Sequence, residues 1–178
     1  MKRLWAYLGA LTIATLAVTA GFARSPVASA SGVTLDRNVV QFQSMFGARA
    51  PFIGSPGSLG GVVAAPLPWV IESVRGDLDK DGELTINVDG LVLANDPSVP
   101  ANLRGTNPIP FFSAVVSCTT ASGGVIATAN VTTRNFPATI PGGDSHIDQR
   151  LTLPHPCVAP IVMVTAPNGG VWFAVTGR

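Results

Sequence analysis

Charge is scarce in this sequence. Lys, Arg, Asp and Glu make up 12% of its 178 residues, and the formal net charge is +1. A dedicated nucleic-acid binder carries a basic excess, and this chain has none. Tyrosine occurs once, and histidine and cysteine twice each. Two histidines leave little for general acid–base chemistry. A Gly-x-Ser-x-Gly nucleophile elbow is absent, and so is a phosphate-binding glycine loop. The sequence does have 47% apolar residues, together with 19 Gly and 15 Pro. Ample apolar content with weak charge argues against intrinsic disorder. The Gly and Pro content stays below the roughly 25–30% of low-complexity chains, and the length suits one domain.

The first thirty residues read as an address. Lys2 and Arg3 precede an uncharged run from Leu4 to Phe22, and Ala28-Ser29-Ala30 follows. A basic start, an apolar stretch and a small-x-small site make a secretory signal peptide. Cleavage after Ala30 fits best, cleavage after Ala23 is the alternative, and an uncleaved anchor helix is the competing reading. No later stretch is long and apolar enough to span a bilayer. Removing residues 1–30 takes away Lys2, Arg3 and Arg24, which leaves 8 basic against 10 acidic residues, and removes Tyr7. Nothing then offers an electrostatic hold on nucleic acid or anionic lipid. Two cysteines in an exported chain favour a disulfide, Cys118–Cys157, over a reactive thiol.

Residues 31–65 read as a flexible arm or linker. Asn38 to Phe46 suits an edge strand or a short amphipathic helix, and residues 54–61 are too rich in Gly and Pro for either. From residue 66 onward the texture is that of a β domain. Seven β-branched and aromatic runs recur between turn residues: Trp69–Arg75, Glu83–Leu93, Pro110–Thr119, Gly124–Thr133, Ser145–Leu153, Val158–Thr165 and Gly170–Thr176. Their spacing predicts an all-β antiparallel sandwich over 66–178, immunoglobulin- or fibronectin-like, without a helix of twelve residues. Val158 to Val164 is nearly all apolar and belongs in the middle of a sheet, with a bulge or an edge position at Pro160.

From Pro68 onward the chain resembles a group of uncharacterised secreted bacterial proteins. The resemblance rests on Pro68-Trp69-Val70-Ile71, the hairpin from Gly76 to Leu84, Gly90-Leu91-Val92-Leu93, Asn107-Pro108, Ser117-Cys118, Pro156-Cys157 and the final Trp172–Gly177. It covers about 110 residues and implies export, a β fold and the cysteine pair. It carries no activity.

Four constellations invite chemistry. Asp77, Asp79 and Asp81 with Gly82 match the opening of a calcium loop, but Val88 stands where the bidentate carboxylate belongs, and a β-hairpin turning at Asp81-Gly82 is the competing reading. Asp144, His146, Asp148 and Arg150 share one strand face, as metal ligands or an acid–base pair would, or simply as a solvated face. His155, Cys157 and Met163 suggest copper, yet no histidine follows Cys157. Gly143-Asp144-Ser145 looks superficially like an esterase nucleophile block without its partners. Trp69 and Trp172 are the aromatic candidates for a sugar platform.

These readings converge on an exported, non-catalytic extracellular or cell-surface binding or structural module that binds or packs against a protein, an envelope polymer or itself. A carbohydrate-binding module is the first alternative and a weak calcium-binding domain the second. No cofactor beyond that calcium is expected. N-terminal sequencing of the exported chain checks the address: the first residue is expected to be Ser31, or Arg24 if the earlier site is used, and an intact Met1 would favour an anchor.

Overall fold

Alternation over Glu83–Asp89 does what a period of two dictates. Leu84, Ile86 and Val88 are buried, while Asn87 and Asp89 face water. The computed structural model describes residues 38–177. The expected signal peptide at 1–30 and the first part of the expected arm, 31–37, lie outside them. Among the described residues no helix is long and apolar enough to cross a membrane.

The chain is an all-β antiparallel sandwich. Its strands are β1 (Asn38–Phe42), β2 (Met45–Gly47), β3 (Trp69–Val70), β4 (Ser73–Asp79), β5 (Glu83–Asp89), β6 (Val92–Leu93), β7 (Phe111–Ser122), β8 (Val125–Thr132), β9 (Phe136–Pro137), β10 (Ser145–Arg150), β11 (Val158–Thr165) and β12 (Trp172–Thr176). One sheet runs β1-β4-β5-β10, and the other runs β2-β12-β11-β7-β8 with β9 beside the start of β7. A small third sheet pairs β3 with β6.

Two runs expected as single strands are each broken in two. The run 69–75 divides into β3 and β4, and 83–93 divides into β5 and β6 at Gly90, whose φ is +64°. A Cβ on Gly90 would meet the Glu72 side chain at 2.8 Å. Both arms of the hairpin therefore turn at the same level, and only glycine fits the bend. Beyond it, Trp69 of β3 stacks on Phe173 with centroids 4.1 Å apart, and Phe173 meets Phe112 edge-on at 5.8 Å.

β11 is central, between β12 and β7, and its register with β7 shifts between Val158 and Ile161. The bulge expected around Pro160 is there, with Ala159 at φ +47°. The long apolar run of β11 has a plain cause, because both faces of this sheet are covered. Phe112, Ala114, Val116, Val162 and Val164 share one face by pairing, and Val115, Met163 and Val175 share the other, yet all are buried. The first face is turned toward the other sheet, whose inward residues include Leu78, Leu84, Ile86 and Ile147.

Residues 48–65 cover the second face, and here the expected flexible arm needs correction. Over its described part, 38–65, this segment is built into the fold. β1 pairs with β4, and β2 pairs with β12, so the chain switches sheets across Gln43 and Ser44. Ala48, Val62, Ala64 and Ala65 are buried. Trp172 donates its indole N–H to the Gly57 carbonyl at 2.8 Å. Its backbone N–H reaches the Val63 carbonyl, and its carbonyl accepts from Ala65 N–H, both at 2.9 Å. Gly60 sits so tightly over Ser117 that an added Cβ would overlap its Oγ. The glycines that argue against regular structure here permit a close-fitting strap instead.

Cys118 and Cys157 form the expected disulfide, with Cα atoms 5.0 Å apart. It ties β7 to the approach of β11, neighbouring strands of one sheet, whereas antibody domains bridge two sheets. The two cysteines are 39 positions apart in sequence. Closing such a loop stabilises by about 4 kcal/mol in the chain-entropy model. Replacing both cysteines by serine is therefore expected to lower the unfolding free energy by about that amount in a urea titration, with the far-ultraviolet spectrum unchanged.

Candidate functional site

The outer face of the four-stranded sheet collects several of the residues singled out from the sequence. Arg75, Asn87 and His146 form one cross-strand row, and Asp77, Thr85 and Asp148 form the next. His146 Nδ1 lies 2.8 Å from Asn87 Oδ1, and Arg150 pairs with Glu83 at 3.2 Å across the same strands. Thus Asp77, from the calcium-like segment, and His146 and Asp148, from the alternating segment, share one surface. Two strand spacings, about 10 Å, separate the rows' outer members, Asp77 and Asp148. Gln41, Gln43, Arg75, Asp77 and Asn87 border a shallow cleft of 430 Å³ on this side. Among the described residues no three His, Cys, Asp or Glu side chains stand together as metal ligands would.

The calcium-like segment is a hairpin. Asp77 and Asp79 belong to β4 itself, and the turn begins only at Lys80. Asp79 Oδ1 accepts the backbone N–H groups of Asp81 at 2.8 Å and Glu83 at 2.9 Å, which closes the turn from within. Gly82 completes it at φ +82°, where a Cβ would strike the Leu151 carbonyl. Asp79 is thus spent on the backbone, and the strand holds Asp77 apart from the turn that carries Asp81.

The remaining sequence candidates are also accounted for by structure. Cys157 is in the disulfide and Met163 is fully buried, so no copper set forms with His155. Ser145 donates its hydroxyl to the Pro137 carbonyl, and Asp144 accepts from Gly90 N–H and the Thr139 hydroxyl. Trp69 and Trp172 are each only 4% exposed, so they cannot form the stacking platform a sugar would need. Trp69 lies on Phe173, and Trp172 is pinned to the strap. Strand alternation alone would put only one of the neighbours Trp172 and Phe173 in the core. Both are buried because both faces of their sheet are covered.

Apolar surface gathers elsewhere, at the seam between β2 and the strap. Phe46 is 55% exposed and Phe52 is 59% exposed. Together with Leu59, Trp172 and Val175 they line a cleft of 460 Å³, with Arg49 its charged lining residue. Phe46, Gly47 and Arg49 also border a second cleft of 360 Å³ on the far side of β2, toward Trp69, Val70 and Asp96. The Ser98 hydroxyl and backbone N–H, at 2.6 and 2.8 Å, hold the Asp96 carboxyl below its usual range, so it remains an anion into acid. Arg49 makes no ion pair with it. Phe46, Arg49 and Phe52 are not evident as site residues in the sequence, because they fall within the Gly- and Pro-rich stretch that reads as an arm. The available signal was two lone phenylalanines flanking an arginine in an otherwise small-residue segment.

No protein-family model matches the chain, and no curated protein or solved structure matches it significantly.

The Asp79 geometry has a direct test. Asp79→Ala leaves two turn N–H groups without their acceptor and is expected to cost about 1 kcal/mol of stability. Thermal melts with and without millimolar calcium should superimpose for both the parent and the variant. A calcium-dependent rise in the parent's melting temperature would restore the ion-binding reading.

Proposed function

We propose that the chain is an exported, non-catalytic binding module of the extracellular or cell-surface space, and that it holds its partner in the cleft between β2 and the strap. The exposure of Phe46 and Phe52 beside that cleft carries the reading. Ligand sites are concave and mostly apolar, with few polar groups to fix orientation, and they measure roughly 300–1,000 Å³. The cleft has this size and lining, and Arg49 supplies the orienting charge. Its complement is an apolar group that bears an anion, presented by a protein or an envelope polymer.

The scaffold supports a binding role. β4-β5-β10 and β8-β7-β11-β12 are seven strands in which each hairpin's arms lie side by side in one sheet. That arrangement accords with a fibronectin-like sandwich, with β1 and β2 added at its rims. A disulfide within the described fold accords with an oxidising compartment and with the signal-like first thirty residues. Folds of this kind carry many functions, so the cleft rather than the fold gives the argument its weight.

Anilinonaphthalene sulfonate, an aromatic anion, is a direct probe. Saturable binding of one equivalent to the folded chain is expected, read from dye emission. Phe46→Ser and Arg49→Glu should each weaken it by about tenfold, or about 1.4 kcal/mol, without changing the melting temperature. Binding that ignores both substitutions, or its absence in the parent, would refute the assignment.

A further inference from the structure

A β-sandwich has four sheet edges, and three of these are visibly protected. β1 carries a register shift between Asn38 and Val40, β2 is three residues long, and β10 presents His146, Asp148 and Arg150. Such bulges, short lengths and charges are the means by which natural proteins prevent strand-to-strand association. The fourth edge, β8, has none of them. It runs eight residues, Val-Ile-Ala-Thr-Ala-Asn-Val-Thr, without proline or charge. Its pairing with β7 proceeds without a shift from Val115↔Thr132 to Ser122↔Val125, and among the described residues it pairs with no other strand. The uncharged stretch extends from Gly105 to Thr133, 29 residues. Val125 is 67% exposed and Ile126 is 77% exposed, above every other large apolar side chain described.

We infer that β8 pairs antiparallel with β8 of a second copy of this chain, about a two-fold axis near Thr128, joining two six-stranded sheets into one. The strand itself points to this occupant. Recognition of a foreign peptide by strand addition draws its specificity from pockets for alternate side chains. β8 and its neighbour offer Thr119, Thr120, Ala127, Thr128 and Ala129, side chains too small to wall such pockets. A self-pair needs none, because the two-fold axis sets partner and register together. It also meets no like charge, since neither strand carries any. The antiparallel arrangement lays Val125 and Ile126 of each copy beside the 129–132 half of the other, covering the two most exposed apolar side chains. Phe46 lies on β2, at the opposite edge of the sheet, and takes no part. The strap reaches β8 only over its face, where the Asn130 side chain donates to the Gly60 carbonyl, and leaves the strand's edge open.

Sedimentation velocity of the purified chain across micromolar to submillimolar concentrations tests this. A concentration-dependent twofold rise in mass is expected. Ile126→Lys combined with Thr128→Lys places like charges together at the axis and should return the mass to that of the monomer, with circular dichroism and melting unchanged. Phe46→Ser should leave the dimer intact, which separates this inference from the cleft. Hydrogen exchange of the parent chain decides the matter even if the lysine variant fails to fold: amides of β8 should exchange more slowly in the concentrated sample than in the dilute one. A monomer at every concentration overturns the inference. So does a dimer that the lysines leave intact, or one in which β8 exchange is indifferent to concentration.

Discussion

The constraint that governs this molecule is a sheet with two greasy sides. β7, β11 and β12 bury residues on both faces, as the almost unbroken apolar run of β11 requires. A two-layer sandwich covers only one of those faces. The chain covers the other with residues 48–65, which carry almost no regular structure and owe their fit to glycine and alanine. The hydrogen bond from the Trp172 indole to the Gly57 carbonyl ties that cover to the last strand. Loss of such a buried bond leaves a carbonyl without its donor, which costs more than the bond itself contributes.

The cleft follows from the same constraint. A strap made of backbone and small side chains cannot seal completely against a strand edge that bears phenylalanine. Phe46 and Phe52 stand open where the cover meets β2, while the outer face of the other sheet is polar and held by short-range pairs such as Arg150–Glu83. Surface ion pairs of that kind contribute little. The molecule therefore offers two very different surfaces, one hydrated and one apolar.

Much of the β domain was legible in the sequence, for identifiable reasons. Period-two alternation located β5 and β10, turn residues bounded β7 and β8, and β11 was placed with its ends and its bulge. An even cysteine count indicated the crosslink. Continuity was misjudged wherever a glycine bends a strand that composition alone reads as straight, as at Gly90. The strap was illegible because its stability comes from partners more than a hundred positions away, such as Gly57 with Trp172. Local propensity carries no trace of such a contact. The calcium-like segment was ambiguous for a similar reason, since carboxylates that ligate an ion and carboxylates that accept turn amides have the same spacing. The cleft residues were missed along with the strap that frames them.

Asn107 shows how closely one side chain can hold distant segments together. Fully buried, it donates to the carbonyls of Ile109 and Thr139 and accepts from Ile109 N–H, while its own backbone N–H reaches Pro141. The strap and β2 depend on β12 in the same way, and this has a bearing on biosynthesis. β1 finds β4 early, but β2 and the strap find β12 only when positions 172–176 have been made. A ribosome releasing this chain delivers the cover well before the strand that anchors it, so β2 and the strap must wait, unshielded, for β12 to emerge.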